Sequence, residues 1–458
     1  MKSHFTQSVL QGEVAVIWHS LFGNPQVVSL ATVGFLNAFS SPNSLQSVIG
    51  DELHPEDRQA VDDLVRHHYL IPQDLDERAH LEQKLVERES LIAAGAEIDY
   101  LGLIVSEACN FRCAYCIHFN NIEANDRRDH PKKFMSFEVA KSAVDWYLGV
   151  LQKHGKQVAE VNFGGGEPLL DWSVISKVLQ YCDESYGGKF DFRFSINTNA
   201  SLLTPEIVQV LKRYSVAVAT SLDGLRTGND RVRMTKAGLG TYDAIVHGFD
   251  VMASAGYPLD GFSVTVTKEN FPVLDESVIN WASDRRMKEV RIDIDVTDLV
   301  NVPLDAVVSK LMCLRRYARA IGVEVFGFWS RPVENLNTSV LEEHVGFCGA
   351  IRGNSVCVSP NGTLYACGYS TSPIGHLSAM DDFHSVGGTY HSFVLQHMTG
   401  RMQMCRGCMI EGQCGGGCHI TQEYAQATRS TKVGCMCVFY RRMAEELLRD
   451  QLVQLAVS

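Results

Sequence analysis

Between residues 101 and about 325 short apolar runs alternate with longer stretches of helical periodicity. Runs rich in Val, Ile, Leu and Phe at residues 101–105, 158–163, 191–197, 216–222, 262–267 and 289–296 predict strands. Residues 136–151 and 171–186 repeat apolar positions every three to four residues and predict two of the helices between them. Strands that alternate with helices form a parallel sheet, because each crossover helix returns the chain to the same edge. Six such units give an α/β fold, a partial (β/α)6 TIM-like barrel over residues 100–330. Functional side chains are then expected at the C-terminal ends of its strands.

The first 75 residues carry a different pattern. Residues 14–19 and 25–30 read as strands, and Ser29 caps a helix bearing Val33, Leu36 and Phe39. After a Ser-Pro-Asn-Ser turn, His54-Pro55 opens a helix with Val61, Leu64 and Val65 on one face, and residues 69–72 read as a closing strand. This order suggests a winged-helix-like domain. Residues 76–99 form a charged linker helix whose stripe of Leu81, Leu85 and Leu91 is narrow, and it is expected to be a solvated connector. Residues 331–437 are rich in cysteine. Residues 438–458 read as an amphipathic helix with Met443, Leu447 and Leu448 turned to the core.

Composition narrows the picture. The 458 residues carry a net charge of −12, which argues against nucleic acid as the main partner. No run of about 18 apolar residues occurs, so no membrane span is expected, and the start of the chain lacks the apolar core of a secretion signal. A soluble, cytoplasmic protein is expected. Of the 14 cysteines, three fall within residues 109–116 and nine between 348 and 437, while Cys182 and Cys313 stand alone. Tight clusters in a long chain read as metal sites rather than disulfides.

Cys109, Cys113 and Cys116 are spaced Cys-x3-Cys-x2-Cys directly after the first barrel strand. Three close thiolates hold three irons of a [4Fe–4S] cluster and leave the fourth iron open. A zinc site is the alternative, but its nearest fourth ligand, His118, stands a single residue beyond Cys116. The segment 106–116, with its Asn110-Phe111-Arg112 filling, resembles the signature of the radical S-adenosylmethionine (radical SAM) superfamily. The resemblance implies that the open iron chelates the amino and carboxylate groups of SAM. It further implies that the reduced cluster releases a 5′-deoxyadenosyl radical, with Tyr115 placed where the family packs the adenine.

Later elements extend the resemblance. Gly164-Gly165-Gly166-Glu167-Pro168 follows the second strand and resembles the family's Gly-Gly-Glu-Pro element, whose extended backbone bonds the SAM amino group. Ser195, Asn197 and Asn199 share one face at the end of the third strand and are candidates for the SAM ribose and carboxylate. The resemblance places Ser221 and Arg233 on the carboxylate and Val266 beside the adenine.

In the last third, Cys348, Cys357 and Cys367 precede a run Cys405-x2-Cys408-x5-Cys414-x3-Cys418 with Gly415-Gly416-Gly417 inside it. This resembles the SPASM domain of radical SAM enzymes, which carries two auxiliary [4Fe–4S] clusters. On that pattern Cys348, Cys367 and Cys418 hold the first, with Cys357 a further candidate. Cys405, Cys408, Cys414 and one later cysteine hold the second, with Cys435 favoured over Cys437. The zinc alternative applies here as well.

Taken together, the resemblance implies a radical SAM/SPASM oxidoreductase with three [4Fe–4S] clusters that modifies a ribosomally made precursor peptide. The N-terminal domain is similar to leader-peptide recognition domains, and a one-electron donor such as a flavodoxin or ferredoxin is implied. No general base stands out. Two rivals are an anaerobic sulfatase-maturating enzyme, which makes formylglycine, and a non-catalytic electron carrier. The carrier has no use for the SAM-binding elements. Formylglycine chemistry is expected to lack its base, because Gly368 and Tyr369, not an aspartate, follow Cys367.

Overall fold

The computed structural model describes residues 1–49, 55–117, 133–295, 302–343, 346–380, 383–428 and 432–457. His54, His118 and Val296 lie outside them.

The chain begins with an antiparallel sheet of β1 (Thr6–Gln11), β2 (Val14–His19) and β3 (Gly23–Ser29), with β2 central. β1 is absent from the sequence expectation because only Val9 of its six residues is buried, which leaves almost no alternating signal. Helices Leu30–Asn37, Leu45–Ile49 and Pro55–Arg66 follow, and Ser29 caps the first through Thr32 N at 3.2 Å. Ile17, Leu36, Phe39, Leu64, Tyr69 and Leu70 form a small core of their own. The closing strand expected at 69–72 is not a strand. Leu70 makes a single bridge to Lys2, and Ile71 exchanges hydrogen bonds with Met1 at 2.7 and 2.8 Å.

Helix Glu77–Ala93, opened by the Asp76 cap, departs from the solvated connector that its charge suggests. Leu81, Leu85 and Ile92 are buried, whereas Leu91 is exposed. Its charged residues find partners. Glu77 is buried against His19 Nε2 at 2.7 Å and accepts from Ser3 Oγ at 2.8 and 2.9 Å, while Glu82 and Glu89 pair with Arg401.

The barrel strands β4 (Tyr100–Ser106), β5 (Val158–Gly165), β6 (Asp191–Asn197) and β7 (Ala217–Ala219) run parallel and adjacent. Beyond β7 the sheet narrows to one parallel bridge, Ser221 to Ser263, with Ser263 N bonded to Thr220 O and Leu222 N to Ser263 O at 2.9 Å each. It resumes with β8 (Gly261–Val266), β9 (Glu289–Ile294) and a short β10 (Glu324–Phe326), again all parallel. β7 is shorter than the 216–222 run because the chain leaves the ladder to form the Ser221–Gly224 turn. Helices Phe137–Lys153 and Trp172–Tyr186 pack Val144, Leu148, Ile175 and Leu179 into the main core.

The last third continues the same sheet. β11 (Ser355–Val358) adds to β4 in parallel, with Cys357 opposite Gly102, and β12 (Thr363–Tyr365) and β13 (Gly375–His376) extend it antiparallel. The final helix starts at Lys432, before the expected 438, and runs to Val457, so Cys435 and Cys437 are helical residues. Met443, Leu447 and Leu448 are buried as their spacing requires. Among the described residues no helix is long and apolar enough to cross a membrane.

Candidate active site

The loop after β4 carries Cys109, Cys113 and Cys116, and it is laced to the segment after helix Arg226–Val232. Arg112 N donates to Met234 O at 2.6 Å and Ala114 N to Val232 O at 2.8 Å. Within the loop, Phe111 N points at Cys109 Sγ at 3.4 Å, and Cys116 N bonds Cys113 O at 3.1 Å. Burial pushes the Cys109 thiol up to about 11 and raises that of Cys113, which Arg233 opposes. Thiolates so placed need a cation to hold their charge. Among the described residues no group of three His, Cys, Asp or Glu side chains is drawn together tightly enough for a single metal ion. A four-iron cube spreads its ligands more widely, and three thiols on one loop fit it.

The glycines after β5 press on this loop. Gly166 N donates to Ser106 O at 2.7 Å and Glu167 N to Ala108 O at 2.8 Å. A Cβ at Gly165 or Gly166 would stand 2.3 Å from Ser106 O or Ala108 O, so no other residue allows the approach. Gly164 is half-buried beside Asn162. Glu167, fully buried, accepts from Leu169 N at 3.0 Å, Thr198 Oγ1 at 2.7 Å and Asn199 N at 2.8 Å. Both its oxygens accept from the protein, so it braces the ends of β5 and β6. Pro168 then opens a short 3-10 turn.

Ser195, which accepts from Asn162 Nδ2 at 2.8 Å, and the exposed Asn197 share one face of β6. Asn199 lies past the strand and reaches the cysteine loop, with Nδ2 2.8 Å from Asn110 Oδ1 and 4.0 Å from Cys109 Sγ. Ser221 sits at the β7–β8 bridge, and Val266 is buried at the end of β8.

Sequence reasoning missed Asp223. Its buried carboxylate accepts from Tyr115 Oη at 2.5 Å and Arg233 Nε at 2.7 Å through Oδ2, and from Thr265 N at 2.7 Å through Oδ1. It therefore ties the aromatic residue of the cysteine loop to the arginine, whose guanidinium lies 5.6 Å from the Tyr115 ring. Nε is the guanidinium nitrogen through which Arg233 bonds Asp223. The signal was a lone acid in Ser221-Leu222-Asp223-Gly224 ten residues before a buried arginine.

Eight of the other cysteines fall into two groups. Burial raises Cys367, the thiols of Cys357, Cys418 and Cys348 add to the rise, and burial pushes Cys357 and Cys418 up to about 12. In the second group Cys405, Cys408 and Cys437 raise Cys414, and Cys437 also acts on Cys405. Cys437, not the favoured Cys435, is thus the helix thiol that faces this group. Two residues on a helix point about 200° apart, so only one of the pair can do so. Gly415, Gly416 and Gly417 all take positive φ (54°, 81° and 77°), and Gly416 N and Gly417 N donate to Cys405 and Cys414. Tyr369 stands in a recess, half its surface accessible. Enough protein surrounds it to push its hydroxyl up to about 12; Cys367 and Cys116 add to the rise, and Arg291 and Arg233 oppose it.

Residues 103–276 match the family profile of the Radical SAM superfamily. The radical SAM cyclopropyl synthase TigE of Paramaledivibacter caminithermalis is 24% identical over 434 residues, 92% of this chain and 89% of that protein. Among solved structures, anSMEcpe with bound AdoMet and Cp18Cys peptide superposes with a TM-score of 0.59 at 17% identity, over 77% of this chain and 98% of that one. Streptococcus suis SuiB bound to precursor peptide SuiA gives 0.51 at 14% identity, over 92% and 95%. The partial barrel with its cysteine loop after β4 is therefore a radical SAM domain, the fold that binds S-adenosylmethionine and a [4Fe–4S] cluster.

Proposed function

We propose that the chain is a peptide maturase: it cleaves SAM reductively and modifies a ribosomally synthesised precursor peptide at an unactivated carbon. One observation carries this reading. The cysteine loop, the Gly164–Gly166 backbone, Asn199 and the Tyr115–Asp223–Arg233 triad converge at the C-terminal ends of β4 to β8. A [4Fe–4S] cluster held by Cys109, Cys113 and Cys116, with SAM on its open iron, would supply radical chemistry for hydrogen abstraction at these strand ends.

The protein's own residues hold and orient. Cys109, Cys113 and Cys116 hold the first cluster. Arg233, aimed by Asp223, offers its terminal nitrogens to the SAM carboxylate, with Ser221 beside it. Ser195 and Asn197 face the ribose, Gly164 to Gly166 the amino group, and Tyr115 and Val266 the adenine. Cys348, Cys357, Cys367 and Cys418 hold one auxiliary cluster, and Cys405, Cys408, Cys414 and Cys437 the other. An external one-electron donor reduces them.

The peptide assignment draws on the likeness to Streptococcus suis SuiB bound to precursor peptide SuiA, which aligns with 92% of this chain. Residues 1–75 supply a docking edge of the right kind. β3 pairs only with β2 among the described residues and leaves Val27 exposed, so an extended leader can add as a fourth strand.

The rival formylglycine chemistry is disfavoured by the residues at this point. Gly368 follows Cys367, and Asp293 has Oδ2 held by Arg291 Nε at 2.6 Å and Oδ1 by Phe328 N at 2.5 Å. The test searches the neighbouring reading frames for a short precursor-peptide gene and incubates reconstituted enzyme, SAM and reductant with the peptide so found and, separately, with a Cys-x-Pro-x-Arg peptide. A mass change in the first and no aldehyde in the second is the expected result. Efficient aldehyde formation from the second moves the assignment to the sulfatase-maturating class.

A further inference from the structure

The turn between β2 and β3 and the start of helix Glu77–Ala93 close on one segment far away in sequence, the loop between Cys408 and Cys414. Glu411 is the centre of that contact. Its side chain is fully buried, and Arg78 grips it bidentately, Nη1 to Oε1 at 2.8 Å and Nη2 to Oε2 at 2.9 Å. The same Oε2 accepts from Gly407 N at 3.0 Å. Gly407 belongs to the Cys405–Cys408 turn, so one carboxylate joins the linker helix to the turn that carries two thiols.

Three further contacts fix the loop from the same side. Trp18 Nε1 donates to Met409 O at 2.7 Å, and Gly412 N donates to Ser20 O at 2.8 Å. A Cβ on Gly412 would stand 1.9 Å from Leu21 O, so the two backbones touch. On the other side, Thr399 Oγ1 donates to Gly412 O at 2.9 Å and Asn335 Nδ2 to Gln413 O at 2.8 Å. The N-terminal unit is one wall of the second auxiliary site.

We propose that Arg78 and Glu411 are positioning residues for the second auxiliary cluster: their ion pair, buried on the Glu411 side, sets the spacing of Cys405, Cys408 and Cys414. The domain that reads the peptide is then mechanically joined to that cluster through the β2–β3 turn. The physical reason is the bidentate fork. A guanidinium fixes a carboxylate in both distance and plane, which a single lysine bond does not. Without Arg78 the buried Glu411 charge must be protonated or turn outward, and either releases the Gly407 amide and the turn around it.

This proposal rests on the two-cluster reading of the last third, and the experiment separates the two. Arg78→Met, Glu411→Gln and Arg78→Lys are reconstituted anaerobically beside the unaltered chain and a Cys405→Ala/Cys408→Ala variant. Iron content, the EPR spectrum of the reduced protein and the thermal melt are recorded for each. The cysteine variant is expected to lose about four of about twelve irons. If it keeps them all, the site reading fails and the proposal with it. Arg78→Met and Glu411→Gln are expected to lose the same irons and the same EPR component while keeping those of the first cluster, and Arg78→Lys to retain part of both. If the two variants melt at a lower temperature but keep full iron and an unchanged spectrum, the pair merely docks the domain and the proposal is overturned.

Discussion

Replacing Asp223 by asparagine tests whether the triad of Tyr115, Asp223 and Arg233 orients the SAM site. The substitution keeps shape and removes charge. The oxygen of the new amide can still accept from Thr265 N, and the Tyr115 hydroxyl can rotate to accept from its nitrogen. Arg233 Nε cannot, because it is a donor facing a donor. Arg233 is only 7% exposed, so the change leaves a buried guanidinium without its counter-charge. Breaking a buried pair in this way costs about 3–5 kcal/mol. The arginine escapes that cost by swinging toward solvent, and its terminal nitrogens then leave the SAM carboxylate. A lost hydrogen bond to a charged group is worth about 1.5–3 kcal/mol, which weakens SAM binding by about 10- to 100-fold. Anaerobic calorimetry of SAM binding to cluster-loaded protein measures this directly, with iron content as the control. Unchanged affinity at full iron content would refute both the role of Arg233 and the orienting role of Asp223.

Two other substitutions probe the supports of the site. Gly102→Ala places a methyl group 2.6 Å from Cys357 Sγ, so the thiol must swing off β4; the strain costs about 1–3 kcal/mol, and iron analysis is expected to show the loss of one cluster's worth, with full iron content counting against Cys357 as a ligand. Burial raises the Glu167 carboxyl from 4.5 to about 6 against three hydrogen bonds that lower it. The folded chain therefore holds this proton more tightly than the unfolded one, and the stability it contributes is present below pH 4.5 and lost as pH rises through 6. The difference is about 2 kcal/mol, so Glu167→Gln should gain on the unaltered protein by that amount between pH 4.5 and 7 in paired thermal melts, and parallel pH profiles would contradict it.

The barrel was legible because β4 is an apolar run buried almost throughout and β8 and β9 alternate buried and less buried positions, both of which read as strands. Residues 191–197 coincide with β6, and the cysteine and glycine segments fall at strand ends as expected. Short or half-polar elements were not legible. β1 buries one residue, and the 69–72 segment looks like a strand although Leu70 makes a single bridge to Lys2. The linker helix misled for another reason. Its charges suggest solvent, but Glu77, Arg78 and Glu89 meet partners from residues 19, 411 and 401, and no local pattern announces an ion pair across several hundred residues. The choice between Cys435 and Cys437 depended on helix phase, which cannot be judged when the helix is taken to begin after both. Asp223 was hidden because its role exists only where β7 and β8 bring Tyr115 and Arg233 together.

The central claim is that the loop after β4 holds the cluster that cleaves SAM. The measurement that tests it most directly is 5′-deoxyadenosine formation by the anaerobically reconstituted chain with SAM and a strong reductant, beside a variant with Cys109, Cys113 and Cys116 all changed to Ala. The unaltered chain is predicted to form 5′-deoxyadenosine, and the variant to form none and to bind about four fewer irons. A variant that still makes 5′-deoxyadenosine would contradict the account.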